Sequence, residues 1–396
     1  MKEGRWRCQL DARLAPPAAI VALDFPFVPP NPRCALNRLV AIGLAACISS
    51  WPAQAQWTPL ASPTTASLRG LSVVDGRTVW ASGAKGTVVH SNDGGTTLQL
   101  HIIPDAAAFD LRSIHARSAM VAHVAATAGR IWRTTDGGAT WSLRYQARDT
   151  SVFLDAIDFW DDRHGIALGD PIGGRFFLLL TDDGGDTWRE AAAESRPRAM
   201  EGEAAFAASG SSLVVQGSAD SMLAWIGSGG RVSRLHRSMS RMKEWVVYDT
   251  PIRQGGAAQG IFSVGILPSG GLVIVGGDYT QNDSARANAA ATRDGREWRP
   301  ITNAAPRGFR SGVHFAAVTS APRLGAAVGV DVGVVVGVVV GVAVGPGGSD
   351  ISRDGGMTWA RFDTAGYHAV RASRDGIFYS SGSDGRLARF DARARP

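Results

Sequence analysis

Four copies of one eight-residue turn motif, 48 glycines and 12 tryptophans predict an all-β fold, a seven-bladed β-propeller whose ring is closed by its N-terminal strand. The motif reads Ser/Thr-x-Asp-Gly-Gly-x-Thr-Trp. It stands at Thr134–Trp141, Thr181–Trp188, Ser352–Trp359 and, with Leu in place of Trp, at Ser91–Leu98. Two weaker copies follow the same plan. Thr292–Trp298 is one residue short, and Ser238–Trp245 has Ser240 where the Asp belongs. The key positions 93, 136, 183, 240, 294 and 354 are spaced by 43 to 60 residues, which suits one four-stranded sheet per repeat. Each copy has the chemistry of a hairpin turn: a carboxylate to accept turn N–H groups, a Gly pair for positive φ, and a Trp to open the next strand. Asp93, Asp136, Asp183, Asp294 and Asp354 are therefore assigned structural roles.

First strands are expected to begin at Leu68, Leu111, Leu154, Glu203, Ile261, Gly312 and His368, giving seven units. The last, His368 to Asp391, has residues for only three strands. Trp57-Thr-Pro-Leu60 supplies the fourth, because other fourth strands also open on tryptophan, at Trp141, Trp188, Trp245, Trp298 and Trp359. Closure of this kind leaves no free sheet edge between first and last units. One segment departs from the repeat. Residues 325–344 are almost wholly Val, Gly and Ala, and are long enough to cross a membrane. They also contain Asp331 and stand where the sixth unit needs its second strand. Val favours strands and Gly disfavours helix, so the segment reads as a low-complexity expansion of a strand, its excess looped out.

Residues 1–55 read as a leader ahead of a propeller at 56–396. Arg38 precedes an apolar run, Leu39–Ala46, and then Ala53-Gln-Ala55, a small-residue cleavage pattern that would start the mature chain at Gln56. Residues 1–35 form an over-long n-region, so translation is expected to begin nearer residues 28–39. The location implied is periplasmic or secreted. Leu44-Ala-Ala-Cys47 also fits a lipoprotein box, so a lipidated Cys47 is the alternative; otherwise membrane association would come only through a partner. Cys8, Cys34 and Cys47 all lie in this leader, which leaves the body without disulfides or thiolate metal sites. Six basic and three acidic residues also fall there. The net charge of +6 becomes 35 against 32, or +3, for the body, with no dense basic run and hence no nucleic-acid footprint.

The body carries no dinucleotide fingerprint, P-loop or His-Glu-x-x-His motif, and its histidines lack metal-ligand spacing. Asp182, Asp183 and Asp186 cluster, but not in the order of a calcium loop. No catalytic residue, cofactor or metal is expected.

The repeats resemble the BNR/Asp-box propellers, and within them the photosystem II assembly and stability factor family with its bacterial relatives outside photosynthesis. The resemblance rests on Trp80–Thr97 and Asp155–Trp188 and covers residues 57–396. It implies a non-catalytic exported scaffold that binds a protein partner, as an assembly factor for a membrane or envelope complex. Several of those relatives are labelled oxidoreductases, a label for which this sequence shows no motif. The alternative is a sialidase-like glycan hydrolase acting on the same fold, although its Arg-Ile-Pro signature is missing and none of the five Tyr has an obvious Glu partner. If the Asp turns mark one face, the loops after second strands and before first strands mark the other. Asp170, Glu203, Asp278, Tyr279, Arg310 and Asp350 are expected on that second face, converging as a binding site.

Overall fold

The computed structural model describes residues 56–218, 220–319 and 337–394, and they fold into seven antiparallel sheets. Numbered in chain order by their inner strands, sheets I to VII have these at Leu68–Val73, Leu111–Ala116, Leu154–Phe159, Leu213–Gln216, Gly256–Ile266, Gly312–Thr319 and Ala369–Ala372. Sheets I to IV and VI each contain four strands in sequence order. Sheet VII takes three strands from the C-terminal segment. Its outermost strand is Thr58–Pro59, with Thr58 opposite Arg389 and Pro59 opposite Ala388.

Sheet V is larger, because the two-residue strands Glu203–Ala204 and Gly229–Gly230 extend it to six. Two expected strand starts are corrected. The inner strand of sheet V opens at Gly256 and not at Ile261, because its first residues pair with Gly229–Gly230. Glu203 does not open sheet IV; Leu213 does. The connection from sheet III to sheet IV, residues 191–212, is long enough to form its own short pairing before the inner strand begins.

The hydrophobic core is divided into clusters between successive sheets. Trp80, Leu111 and Trp132 pack between sheets I and II, and Phe177, Ile157 and Trp188 between II and III. The series continues round to Leu68, Ile377 and Tyr379 between VII and I. The inner strand of each sheet packs against that of the next, and Ala369–Ala372 packs against Leu68–Val73. Polar bonds cross some of these seams. The Ala116 N–H donates to Ser72 Oγ at 2.9 Å, Ile157 N–H to Ser113 Oγ at 3.1 Å, Val215 N–H to Asp158 Oδ2 at 3.0 Å and Val313 N–H to Ser263 Oγ at 2.9 Å. Such bonds satisfy inner-strand N–H groups that face a neighbouring sheet.

The Asp turns join third to fourth strands. At Thr134–Trp141, Thr134 Oγ1 donates to Asp136 Oδ1 at 2.8 Å and accepts the Gly138 N–H at 3.0 Å. Asp136 Oδ1 accepts the Thr140 N–H at 2.9 Å, and Oδ2 accepts Thr140 Oγ1 at 2.6 Å. Gly137 and Gly138 take φ of 73° and 90°, which a side chain would strain. With these donors Asp136 stays ionised down to about pH 2. The copy lacking Asp solves the turn differently: Ser240, Arg241 and Met242 all take positive φ.

Gly337–Gly345 forms the second strand of sheet VI, Val344 facing Gly312 and Gly337 facing Thr319. The end of the Val/Gly segment is thus strand, while residues 320–336 lie outside the described residues, as does the whole leader. No helix among the described residues is long and apolar enough to cross a membrane.

Candidate functional site

Alternation of strand direction puts the Asp turns at one end of each sheet. The second-to-third and fourth-to-first connections lie at the other end. Asp170 and Asp278 lie at or near the ends of second strands, Tyr279 just beyond one, Asp350 near the start of a third, and Glu203 and Arg310 in the connections that enter sheets IV and VI. All six therefore belong to the end opposite the Asp turns.

Their environments differ. Arg310 has no exposed surface. Its Nε and Nη2 donate to Asp350 Oδ2 at 2.8 and 2.5 Å, and Nη1 donates to the Phe309 carbonyl at 2.8 Å. Glu203 is equally committed. Ser228 Oγ, Arg234 Nε, His236 Nε2 and the Met200 N–H donate to its carboxylate at 2.5 to 3.1 Å. Burial alone would raise this acid, but those bonds outweigh it and hold it at about 2. Asp278 is buried too, accepting from Gln259 Nε2, the Thr280 N–H and Thr280 Oγ1, with Arg253 3.3 Å away. These four residues anchor connections to strands. Asp170, Tyr279 and Asp350 have capacity left over, although the open Oδ1 of Asp350 is buried. Asp170 uses only Oδ1, which accepts the Ala205 N–H at 3.1 Å, and Tyr279 is 50% exposed.

Four inner strands kink at the same place. Register shifts at Leu68/Gly70, Leu111/Ser113, Leu154/Ala156 and Ile261/Ser263 leave Arg69, Arg112, Asp155 and Phe262 as unpaired bulge residues. A bulge re-aims its side chain out of the alternating pattern, so equivalent positions in sheets I, II, III and V present two guanidinium groups, a carboxyl and an aromatic ring. The sequence signal was available: an apolar residue, then the bulge residue, then Gly, Ser or Ala, repeated at each of these strand starts.

The space between the inner strands is crossed by Ser209–Ser212, the last residues before sheet IV. Ser209 Oγ donates to the Ser311 carbonyl at 2.7 Å, Ser211 and Ser263 hydroxyls meet at 2.7 Å, and Arg371 Nη2 reaches the Gly210 carbonyl at 3.4 Å. A side chain on Gly210 would stand 2.5 Å from Ser113 Oγ, and its φ is +66°. One short segment therefore touches sheets II, V, VI and VII and floors the mouth of the face above it.

Three arcs of different chemistry surround that floor. Sheets VII, I and II supply Arg386, Arg69 and Arg112, whose charges add to burial in holding His368 neutral down to about pH 4. Sheet III supplies Asp155 and Asp170, both raised, first by burial. Beyond them is an aromatic arc. Phe206 stacks on Phe262 at 3.8 Å, while Phe309 and Tyr279 meet Phe262 edge-on at 4.7 and 6.0 Å. Among the described residues no group of three or more His, Cys, Asp or Glu is placed to hold a metal ion.

No family model and no curated protein sequence matches this chain. Solved structures match its fold. A structure titled "YCF48 bound to D1 peptide" is 18% identical with a TM-score of 0.55, covering 86% of this chain and 99% of that one. YCF48 from Cyanidioschyzon merolae is 17% identical with a TM-score of 0.56, covering 86% and 100%. An ancestral GH74 enzyme is 14% identical with a TM-score of 0.53, covering 84% of this chain and 46% of that one. The chain is therefore an all-β propeller, and identities this low carry the fold alone.

Proposed function

We propose that this chain is an exported, seven-bladed propeller, closed by its N-terminal strand, that binds a segment of a protein partner on the face opposite its Asp turns. Its role would be that of a scaffold or assembly factor for a membrane or envelope complex. The observation that carries the reading is the floored mouth. Ser209–Ser212 tie Ser311, Ser263 and Arg371 together between the inner strands, and the side chains around this segment make up the cup of the face. Basic, acidic and aromatic arcs around one cup suit an extended peptide, whose successive side chains differ in chemistry. Two further facts support it. A propeller of similar fold, YCF48, is bound to a D1 peptide, and Tyr279 keeps half its surface open beside the aromatic arc.

Seven sheets with core clusters between each successive pair, the last and first included, support the closed ring. The leader pattern Ala53-Gln-Ala55 supports export to a periplasmic or external location. Intact mass of the protein from its own host checks that part: a mature chain starting at Gln56 is expected, a diacylglyceryl group on Cys47 would make it a lipoprotein, and retention of residues 1–55 would contradict export.

Binding is tested by affinity capture from the native envelope with Arg112→Glu and Tyr279→Ala. Both side chains sit at the cup, and neither is part of the core. Each variant should fold normally and lose the captured partner, an effect of about 1–3 kcal/mol for an interfacial anchor. Undiminished capture by both would contradict the assignment to this face. Sugar released from an envelope glycan, with no captured protein, would favour a hydrolase instead.

A further inference from the structure

Within sheet III, two strands bulge at one point. Leu154 pairs with Gly169; the next residue on the inner strand, Asp155, is skipped by the ladder to the second strand, and Asp170 is skipped by the ladder from the second strand to the third. Two carboxyl groups are thereby turned out of adjacent strands beside the same residue pair. Asp155 is 1% exposed, and its Oδ2 has no hydrogen-bond partner among the described residues. A buried carboxyl without a partner costs a fold stability, and the cation nearest in charge does not supply one. Arg112 turns its Nη2 to Asp110 at 3.1 Å and lies over the Phe153 ring at 5.9 Å. Asp170 forms the half-exposed rim of the pair, fixed by the Ala205 N–H on Oδ1 and free at Oδ2. Phe206, next in the chain to that donor, is itself half-exposed and stacked on Phe262.

We infer that Asp155 and Asp170 form the seat for a primary ammonium group of a bound peptide, with Phe206 packing along the stem that carries it. The inference rests on the peptide-binding reading above and deepens it. An ammonium group has three N–H donors on one compact charge; from the rim it meets Asp170 Oδ2 and would give the buried, unpartnered Asp155 Oδ2 a donor. Two carboxyl groups, one of them half-spent on a backbone N–H, are too few for a metal ion that would demand a full shell of ligands. An aromatic face beside the acids also suits a cation on an apolar stem. Before the ligand arrives, burial and the neighbouring Asp170 favour a protonated Asp155. Binding would replace that proton by the cation.

The source of the ammonium group, a lysine side chain or a free chain N-terminus, is separated by the choice of probe. N-acetyl-lysine methylamide offers the first, norleucine methylamide the second, and N-acetyl-norleucine methylamide neither. Titrated by NMR into the whole protein, one ammonium probe should saturate on the wild type and the uncharged one should not. Asp170→Asn and Asp155→Asn should each weaken that binding at least about tenfold. Asp155→Asn should also melt at or above the wild-type temperature without ligand, because it removes an unpartnered acid. If neither ammonium probe binds, or if both variants bind as wild type does, the seat is refuted. A marked fall in the melting temperature of Asp155→Asn would refute it as well, by showing the carboxyl to be a structural element. Asp170→Asn keeps the titration decisive if the other variant does not fold. None of these outcomes decides whether a partner is captured through Arg112 and Tyr279, so the broader reading can survive the loss of this one.

Discussion

Glu203 shows how much one side chain can hold. Its carboxylate receives four donors from three separate segments, among them neutral His236 through Nε2 at 3.0 Å. Glu203→Ala strands a half-buried arginine and a buried histidine, so urea unfolding should register a loss of about 3–5 kcal/mol; a loss below about 1 kcal/mol would mean water replaces the carboxylate. The sign of its pH dependence follows from a depressed acid. The stabilisation is complete above the ordinary value of 4.5 and is lost as pH falls toward about 2. The same logic explains why site residues were only partly legible. Sequence offers Arg310 and Asp350 as separate binding residues, but they are 40 residues apart, and only the fold reveals that Arg310 donates twice to Asp350 Oδ2. Asp155 sits inside an apolar stretch that reads as an ordinary inner strand. Its meaning depends on a bulge, which is a property of two strands and not of one.

At the scale of the element, the Asp turns were the most legible feature, because every bond in them is local. Thr134 and Asp136 act within seven residues of chain, so spacing alone exposes the geometry. Thr134→Val keeps the shape but leaves the buried Gly138 N–H without its acceptor. Thermal unfolding should show a loss of about 1–3 kcal/mol, and no change would show that the hydroxyl is redundant with Asp136. The floor segment is the opposite case. Ser209–Ser212 reads as an ordinary small-residue loop, and its bonds run to residues 52 to 161 positions away. Gly210→Ala combines positive φ with a clash against Ser113, in a segment that ties four sheets. A loss of about 1–3 kcal/mol is expected, with weaker peptide binding as the cup loses its shape; wild-type stability would show that the segment can move aside freely. The strand start expected at Glu203 failed for a related reason. The connection from sheet III to sheet IV has its own backbone pairing with Gly229–Gly230, which no local pattern announces.

For the whole molecule, the N-terminal segment is the test of closure. Trp57 is buried among Phe362, Tyr367 and Phe390 at 5.5 to 6.1 Å, and its indole N–H donates to Ser349 Oγ at 2.9 Å. Deleting Trp57–Leu60 should cost at least the about 3–5 kcal/mol of a lost core aromatic; an unchanged melting temperature would mean that sheet VII closes without it. The pairing of Thr58–Pro59 with the C-terminal strand is legible in sequence because the tryptophan is the repeat's own, displaced to the other end of the chain. A second global property is not. Burial holds His90 and His368 to about 4 and His314 to about 3. An unfolded chain binds protons at these sites from about 6.5 downward while the folded one does not, so stability should fall steadily as pH drops from 6.5 toward 4. A melting temperature flat from pH 7 to 4 would contradict the burial of these rings.

The central claim is that the face opposite the Asp turns is the binding face, and site-specific photo-crosslinking in the host tests it most directly. A photoreactive residue is placed at Tyr279, at the cup, or at Met357, 51% exposed on an Asp turn. The account predicts a discrete protein adduct from position 279 and none from position 357. Adducts from position 357 alone, or equally from both, would contradict it.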